Sequence, residues 1–247
     1  MRSLHGITGT VLPAIPLRPN LALVFNDLMK DAECIFVTGR RGSGKTTYVQ
    51  RAVDRAPRVI VFDPLGQYAR EFRWPLAGDL ASLHRLAAER WRSPAPWRLA
   101  LTVAGDFDTE LHKLSVYLWH AMAPFERGRD RKKMLLIVEE MNLSVPVHPL
   151  PKGRRGFMRL VLQGRHRGIA IIGVSQRPAL VSADFRSSAA ETIIFPLGVE
   201  DQGYMGARYR GELASLTPHR FVRFADGVAT RGENPPLGSS PATSRRR

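Results

Sequence analysis

Short apolar runs alternate with stretches of helical periodicity through most of the chain. Cys34–Thr38, Arg58–Phe62, Trp97–Val103, Met134–Val138, Ile169–Val174 and Thr192–Pro196 read as strands. Between them, Lys45–Arg55, Asp79–Arg90, Asp108–Met122 and Phe157–Arg167 read as helices. In the third of these, Leu111, Leu114, Tyr117, Leu118 and Met122 recur near helical spacing. The strand cores are apolar on successive residues rather than on alternate ones, the mark of a sheet buried on both faces. Strands alternating with helices predict an α/β fold with a mostly parallel sheet flanked by helices.

The ends of the chain read differently. Residues 1–19, interrupted by Pro13, Pro16 and Pro19, read as an irregular or β-like arm. Asn20–Lys30 reads as a short helix capped by Asn20, with Leu21, Val24, Phe25 and Leu28 on one face. Phe221–Phe224 and Gly227–Thr230 pair as a small C-terminal hairpin, and beyond Arg231 apolar residues almost vanish. The expected division is therefore an arm and short helix over 1–33, a core domain over 34–231 and a disordered basic tail over 232–247. With 247 residues, 44% of them hydrophobic, the chain can build one sizeable α/β core.

The chemistry is concentrated where strands end. Gly39-Arg40-Arg41-Gly42-Ser43-Gly44-Lys45-Thr46 satisfies G-x-x-x-x-G-K-[ST], and it lies between an apolar strand and a helix, as a phosphate-binding P-loop must. The glycines let successive N–H groups, from Gly39 through Thr47, turn toward a phosphate, and the helix N-terminus adds its positive dipole end. Lys45 would reach the β- and γ-phosphates, and the Thr46 hydroxyl would ligate Mg2+. ATP and Mg2+ are the cofactors expected.

Met134-Leu135-Leu136-Ile137-Val138-Glu139-Glu140 is a buried strand ending in two carboxylates, the Walker B pattern. Glu139 would hold the metal and Glu140 would polarise the attacking water. Most such strands carry Asp at the first position, so Glu139 is a departure. About ninety-five residues and two predicted strands separate Lys45 from Glu140. That spacing fits the RecA-like (ASCE) branch of P-loop NTPases, with an additional strand and a catalytic glutamate. Gln176 ends another apolar strand and should emerge at the same sheet edge, where an amide can contact both γ-phosphate and water.

The charge points to a polyanionic partner. There are 37 Lys+Arg against 22 Asp+Glu, a net +15, and nucleic acid is the commonest such partner. Arginine enrichment is also what a GC-rich genome produces. The single cysteine, Cys34, lies in the strand before the P-loop and reads as a buried small hydrophobe. It excludes an internal disulfide or a cysteine-based metal site. No metal-binding histidine pattern, signal peptide or apolar run of membrane-spanning length is present, so the expectation is a soluble, intracellular protein.

Arg165-His166-Arg167-Gly168 followed by an apolar strand and Ser175-Gln176-Arg177-Pro178 resembles the FtsK–HerA superfamily of ring-forming, DNA-pumping ATPases. Val59-Ile60-Val61-Phe62-Asp63-Pro64-Leu65-Gly66 is similar to that superfamily's second strand and its D-P-x-G turn. The resemblance covers roughly residues 34–200. It implies an arginine acting in trans at the neighbour's γ-phosphate. The matching position is Arg165, eleven residues before Gln176, with Arg167 as the fallback. It also implies a homo-oligomeric ring of five or six subunits that translocates double-stranded DNA. Lys152, Arg154 and Arg155, in the Pro/Gly-rich loop after Walker B, are the expected DNA-backbone contacts, and Arg245, Arg246 and Arg247 a loose tether.

Within that superfamily, a compact basic member without a membrane span most resembles the genome-packaging ATPases of tailless icosahedral viruses with an internal membrane. That resemblance implies work at a packaging vertex, in the host cytoplasm or the virion, with a capsid or membrane docking protein. Three readings stand beside it: a filamentous-phage-type assembly or secretion ATPase, a plasmid DNA-transfer ATPase, and a nucleotide-dependent binding module with slow hydrolysis. A small-molecule kinase leaves the basic charge and the Arg165–Gln176 arrangement without a role.

Overall fold

The computed structural model describes residues 28–29, 31–148, 151–204 and 213–236. The predicted arm over 1–19, most of the Asn20–Lys30 helix and the terminal arginines Arg245–Arg247 lie outside the described residues. Strands β1 (Cys34–Thr38), β2 (Arg58–Phe62), β3 (Leu76–Ala77), β4 (Trp97–Leu101), β5 (Met134–Val138), β6 (Ile169–Ser175), β7 (Glu191–Ile194), β8 (Arg220–Ala225) and β9 (Val228–Glu233) form one sheet. Its order is β3-β4-β2-β5-β6-β1-β7-β8-β9. All pairs from β3 to β7 are parallel; β8 and β9 add an antiparallel hairpin at one side.

Helices α1 (Lys45–Val53), α2 (Gln67–Phe72), α3 (Leu80–Trp91), α4 (Phe107–Ala121), α5 (Ala123–Glu126), α6 (Met141–Ser144), α7 (Gly156–Gln163), α8 (Ala183–Ser188) and α9 (Val199–Tyr204) join the strands. The two-residue period of the central strands sorts the core into two layers. Phe36, Ile60, Phe62, Leu136, Val138 and Ile171 pack against Leu83, Leu111, Leu114, Leu118, Phe157 and Phe185 of α3, α4, α7 and α8. Ile35, Val37, Val59, Leu135, Ile172 and Val174 face the other way, onto Tyr48, Val49, Ala52 and Val53 of α1 and Tyr68 of α2. Cys34 belongs to the first layer, and burial pushes its thiol pKa up, as suits a buried hydrophobe.

Local chemistry sets the helix ends. Asp79 caps α3, accepting from the Ser82 amide at 2.7 Å, while the Ser82 hydroxyl lies 3.2 Å from the Asp79 amide. The helix expected over Phe157–Arg167 ends at Gln163, where a 3-10 turn, Gly164–Arg167, replaces its last turn. Gly168, with φ +65°, then turns the chain into β6.

β9 runs on to Glu233, two residues past the boundary expected at 231, and Asn234 is fully buried. The hairpin holds these residues. Tyr48 of α1 meets Phe195 and Phe221 edge to face, with ring centroids 5.8 and 5.3 Å away, and Arg51 Nη2 donates to the Pro235 carbonyl at 2.7 Å.

Candidate nucleotide site

The sheet register assembles the site. Thr38 pairs with Ser175, Val138 with Gly173, and Phe62 with Val138, so β1, β2, β5 and β6 end side by side. The residues that follow, Gly39, Asp63, Glu139 and Gln176, therefore share one edge, as the sequence predicts for the P-loop, Glu140 and Gln176. A 530 Å³ cleft opens there, lined by Arg41 through Thr47, Gln67, Arg70, Glu71, Glu139, Glu140, Gln176 and His219.

The P-loop divides into two parts. The Gly39 amide is taken by the Ser175 carbonyl at 3.3 Å and the Arg40 amide by the Pro196 carbonyl at 2.7 Å, so these two fasten the loop to the sheet. Gly42 through Thr47 face the cleft. Gly44, at φ +108°, starts α1 in a conformation that a side chain would strain. Ser43 Oγ is buried with no hydrogen-bond partner among the described residues, which fits a loop shaped to receive phosphate oxygens.

Lys45 is almost buried and donates to the carbonyls of Gly39 at 2.7 Å and Arg40 at 3.1 Å. Burial lowers its pKa, and the nearby Glu139 and Glu140 work against that effect. Glu139 is buried and accepts a hydrogen bond from the Tyr68 hydroxyl at 2.8 Å. Burial pushes its carboxyl up to about 7; the Tyr68 bond and Lys45 hold it down, while Asp63 and Glu140 raise it further. Asp63 in turn receives the Tyr68 amide at 2.8 Å. The Thr46 hydroxyl and the Glu139 carboxylate both line the cleft and are hard oxygen donors of the kind Mg2+ takes.

Glu140 is half-buried and stands at φ +44°, a left-handed conformation rare for a residue with a side chain. The Gln176 amide donates to its Oε1. The Ser175 hydroxyl donates to Asn142 Oδ1 at 3.1 Å, so the chain after β5 is tied to the end of β6. Backbone strain at a group facing the cleft is a feature of functional sites.

The predicted arginines separate clearly. Arg165 is exposed and its side chain has no ion pair or hydrogen bond among the described residues. Arg167 is engaged: it pairs with Glu126 at 2.9 Å, donates to the Trp119 carbonyl and lies 3.9 Å over the Trp119 ring. Both precede β6, whose seven residues at ~3.3 Å each place them roughly 20 Å from the P-loop edge.

Of the loop residues expected to touch DNA, Arg154 is ion-paired with Asp106 at 2.9 Å and Asp108 at 2.8 Å. Its charge is therefore already paired within the chain. Arg155 is exposed, with no side-chain partner among the described residues; nothing is described of the Lys152 side chain. Sequence reasoning missed Tyr68, His219 and Asn234. Tyr68 lies five residues after Asp63 on the D-P-x-G turn, the one local signal that could have found it.

No protein-family model matches the chain. A 73-residue stretch is 33% identical to the probable helicase MJ1565 of Methanocaldococcus jannaschii, covering 29% of this chain and 14% of that protein. The chain thus matches only a small part of that relative's length. The fold is similar to that of the genome-packaging NTPase B204 of Sulfolobus turreted icosahedral virus 2, solved with ATP-gammaS. The TM-score is 0.61 at 15% identity, over 84% of this chain and 99% of that one. VirB4 of Thermoanaerobacter pseudethanolicus is similar at TM-score 0.58 and 12% identity, over 83% and 90%.

The fold is that of a P-loop NTPase, similar in architecture to B204 and VirB4. Among the described residues, no helix is long and apolar enough to cross a membrane.

Proposed function

We propose that this chain is the ATPase of a genome-packaging motor, moving double-stranded DNA as a homo-oligomeric ring. The observation that carries the reading is the Gln176–Glu140 hydrogen bond above the P-loop, which links the water-activating acid to a strand end beside the phosphates. Lys45 leaves the Gly39 and Arg40 carbonyls for the β- and γ-phosphates of ATP. Glu140 accepts the proton of a water that attacks the γ-phosphorus, releasing ADP and phosphate. The Thr46 hydroxyl, and Glu139 directly or through water, would hold Mg2+, whose chemistry there would be charge neutralisation on the phosphates.

Gln176 senses the γ-phosphate while Glu140 is engaged with water, and its release moves the end of β6. Arg177, the next residue, pairs with the buried Asp201 at 3.0 Å and with Glu200 at 3.4 Å, so that movement reaches α9. Arg165, free and far from its own cleft, is suited to a neighbour's γ-phosphate. The net charge of +15 supports a polyanionic track, with Arg155 and Lys152 as backbone contacts. The packaging role is supported by the likeness to a viral packaging NTPase. A virion vertex or the host cytoplasm, with a capsid or membrane docking protein, is the setting that goes with it.

The test is ATP hydrolysis by the purified protein with duplex DNA, single-stranded DNA or neither, beside a Lys45→Ala control. Several-fold stimulation by duplex, lost in the control and at high salt, is expected. Stimulation by single strands alone would replace this reading with an assembly or transfer ATPase.

A further inference from the structure

His219 lines the cleft and belongs to neither the phosphate motif nor the hydrolytic groups. Sheet order fixes which side it occupies. Glu140 and Gln176 follow β5 and β6, on one flank of β1. His219 precedes β8, on the other flank beyond β7. A triphosphate whose γ-phosphate lies toward Glu140 and Gln176 therefore directs its nucleoside toward the His219 flank.

The residue is held in place at some cost. Thr217, Pro218, His219 and Arg220 form a turn closed by the Arg220 amide on the Thr217 carbonyl at 3.1 Å, with proline second and His219 third at φ +66°. That third position of a type II turn favours glycine or asparagine, and a histidine there is strained. Its contacts run straight into the P-loop. The His219 amide donates to the Ser43 carbonyl at 2.8 Å, and a Cβ added to Gly44 would lie 2.9 Å from His219 Nδ1. Nδ1 is 2.9 Å from the Asn234 carbonyl, an acceptor only, so Nδ1 carries the proton. Nε2 is left as an acceptor with no partner among the described residues. Asn234, fully buried, completes the latch: its Nδ2 donates to the Gly44 carbonyl at 3.0 Å and its amide to the His219 carbonyl at 2.7 Å.

We propose that His219 is a nucleotide-binding residue that contacts the nucleoside portion of ATP, and that Asn234 is the positioning residue that fixes both the ring and Gly44. The inference rests on nucleotide binding at the P-loop and is independent of DNA translocation. It makes the C-terminal hairpin part of the nucleotide site.

The experiment is calorimetric titration of the full chain with two probes, the non-hydrolysable methylene-bridged analogue of ATP and inorganic tripolyphosphate. His219→Gly removes the ring at a φ that glycine adopts freely, and His219→Asn keeps a polar side chain suited to the same φ. Both variants should bind the ATP analogue about tenfold more weakly and tripolyphosphate as tightly as the parent. Asn234→Ala, which frees Gly44, should weaken both probes alike, and Lys45→Ala should abolish both. Unchanged affinity for the analogue in the His219 variants would overturn the proposal. So would an equal loss for both probes, which would confine His219 to shaping the P-loop. A parent chain that binds neither probe would instead overturn the nucleotide-site reading itself.

Discussion

Gly173 lies in the middle of β6, opposite Phe36 of β1 and Val138 of β5, and its missing side chain leaves room for two neighbours. A Cβ there would stand 2.0 Å from Met141 Sδ and 2.6 Å from Phe185 Cζ. Ordinary contact is about 3.5–4.0 Å, so Gly173→Ala forces the Met141 thioether to retreat by roughly 1.5 Å. Met141 is fully buried, and Phe185 behind it is fully buried as well, so the strain cannot be relieved into solvent. Overpacking of this kind costs about 1–3 kcal/mol, partly offset by the ~0.5–1 kcal/mol that alanine gains over glycine in a strand.

The same shift has a catalytic consequence, because Met141 directly follows Glu140 at its strained φ of +44°. Gly173→Ala should lower kcat while leaving ATP affinity near that of the parent. Urea unfolding of Gly173→Ala, Met141→Ala and the double variant closes the cycle. Met141→Ala alone should cost about 2–5 kcal/mol by cavity formation, and the new Cβ should recover about 1–2 kcal/mol of it. A Gly173→Ala protein more stable than the parent, or an additive cycle, would refute the packing argument.

Glu140→Gln should bind ATP as the parent does and lose at least ~100-fold in turnover, measured by phosphate release. Normal turnover would remove Glu140 from the mechanism. Glu139 gives a pH signature. Its folded-state value of about 7 lies above its ordinary 4.5, so the stability it contributes is complete below pH 4.5 and is lost as pH rises through 7. Without nucleotide or metal, Glu139→Gln should therefore be more stable than the parent at pH 8, by up to about 3 kcal/mol, with the gap closing toward pH 4.5 in urea titrations. A gap that does not change with pH would contradict the burial of that charge. Arg165→Ala and Lys45→Ala, each inactive alone, should regain about a quarter of parental turnover when mixed in equal amounts, if the finger acts across subunits. Arg167→Ala should instead lower the melting temperature, and a mixture that stays inactive would remove the trans role.

The central sheet and the P-loop edge were legible because their signals are local. An apolar run must be buried, and G-x-x-x-x-G-K-[ST] between a strand and a helix fixes its own geometry. Glu139, Glu140 and Gln176 followed from the rule that residues after parallel strands meet at one edge. What the sequence hid depends on pairings between distant segments. Arg154 showed no partner in the loop after Walker B, yet Asp106 and Asp108, 48 and 46 residues away, pair with it. Tyr68 reaches Glu139 across 71 residues. The stretch after Arg231 looked like a tail because it lacks apolar residues. Asn234 is nonetheless held there by the backbone of Gly44, 190 residues away, and by the backbone of His219.

These failures share a physical basis. A polar residue becomes structural when its partner is a backbone carbonyl or a carboxylate on another element, and composition carries no trace of that partner. The hairpin illustrates the consequence for function. Its apolar residues, Phe221 and Val222, only need to pack, and that much could be predicted. Its polar residues, His219 and Asn234, bond to the P-loop backbone, and backbone groups are present at every position of any sequence. A ligand site completed through main-chain atoms is therefore the part of such a protein that only the folded arrangement can reveal. The strained φ of His219 and of Glu140, one on each side of the P-loop, mark where this fold has placed side chains against backbone preference.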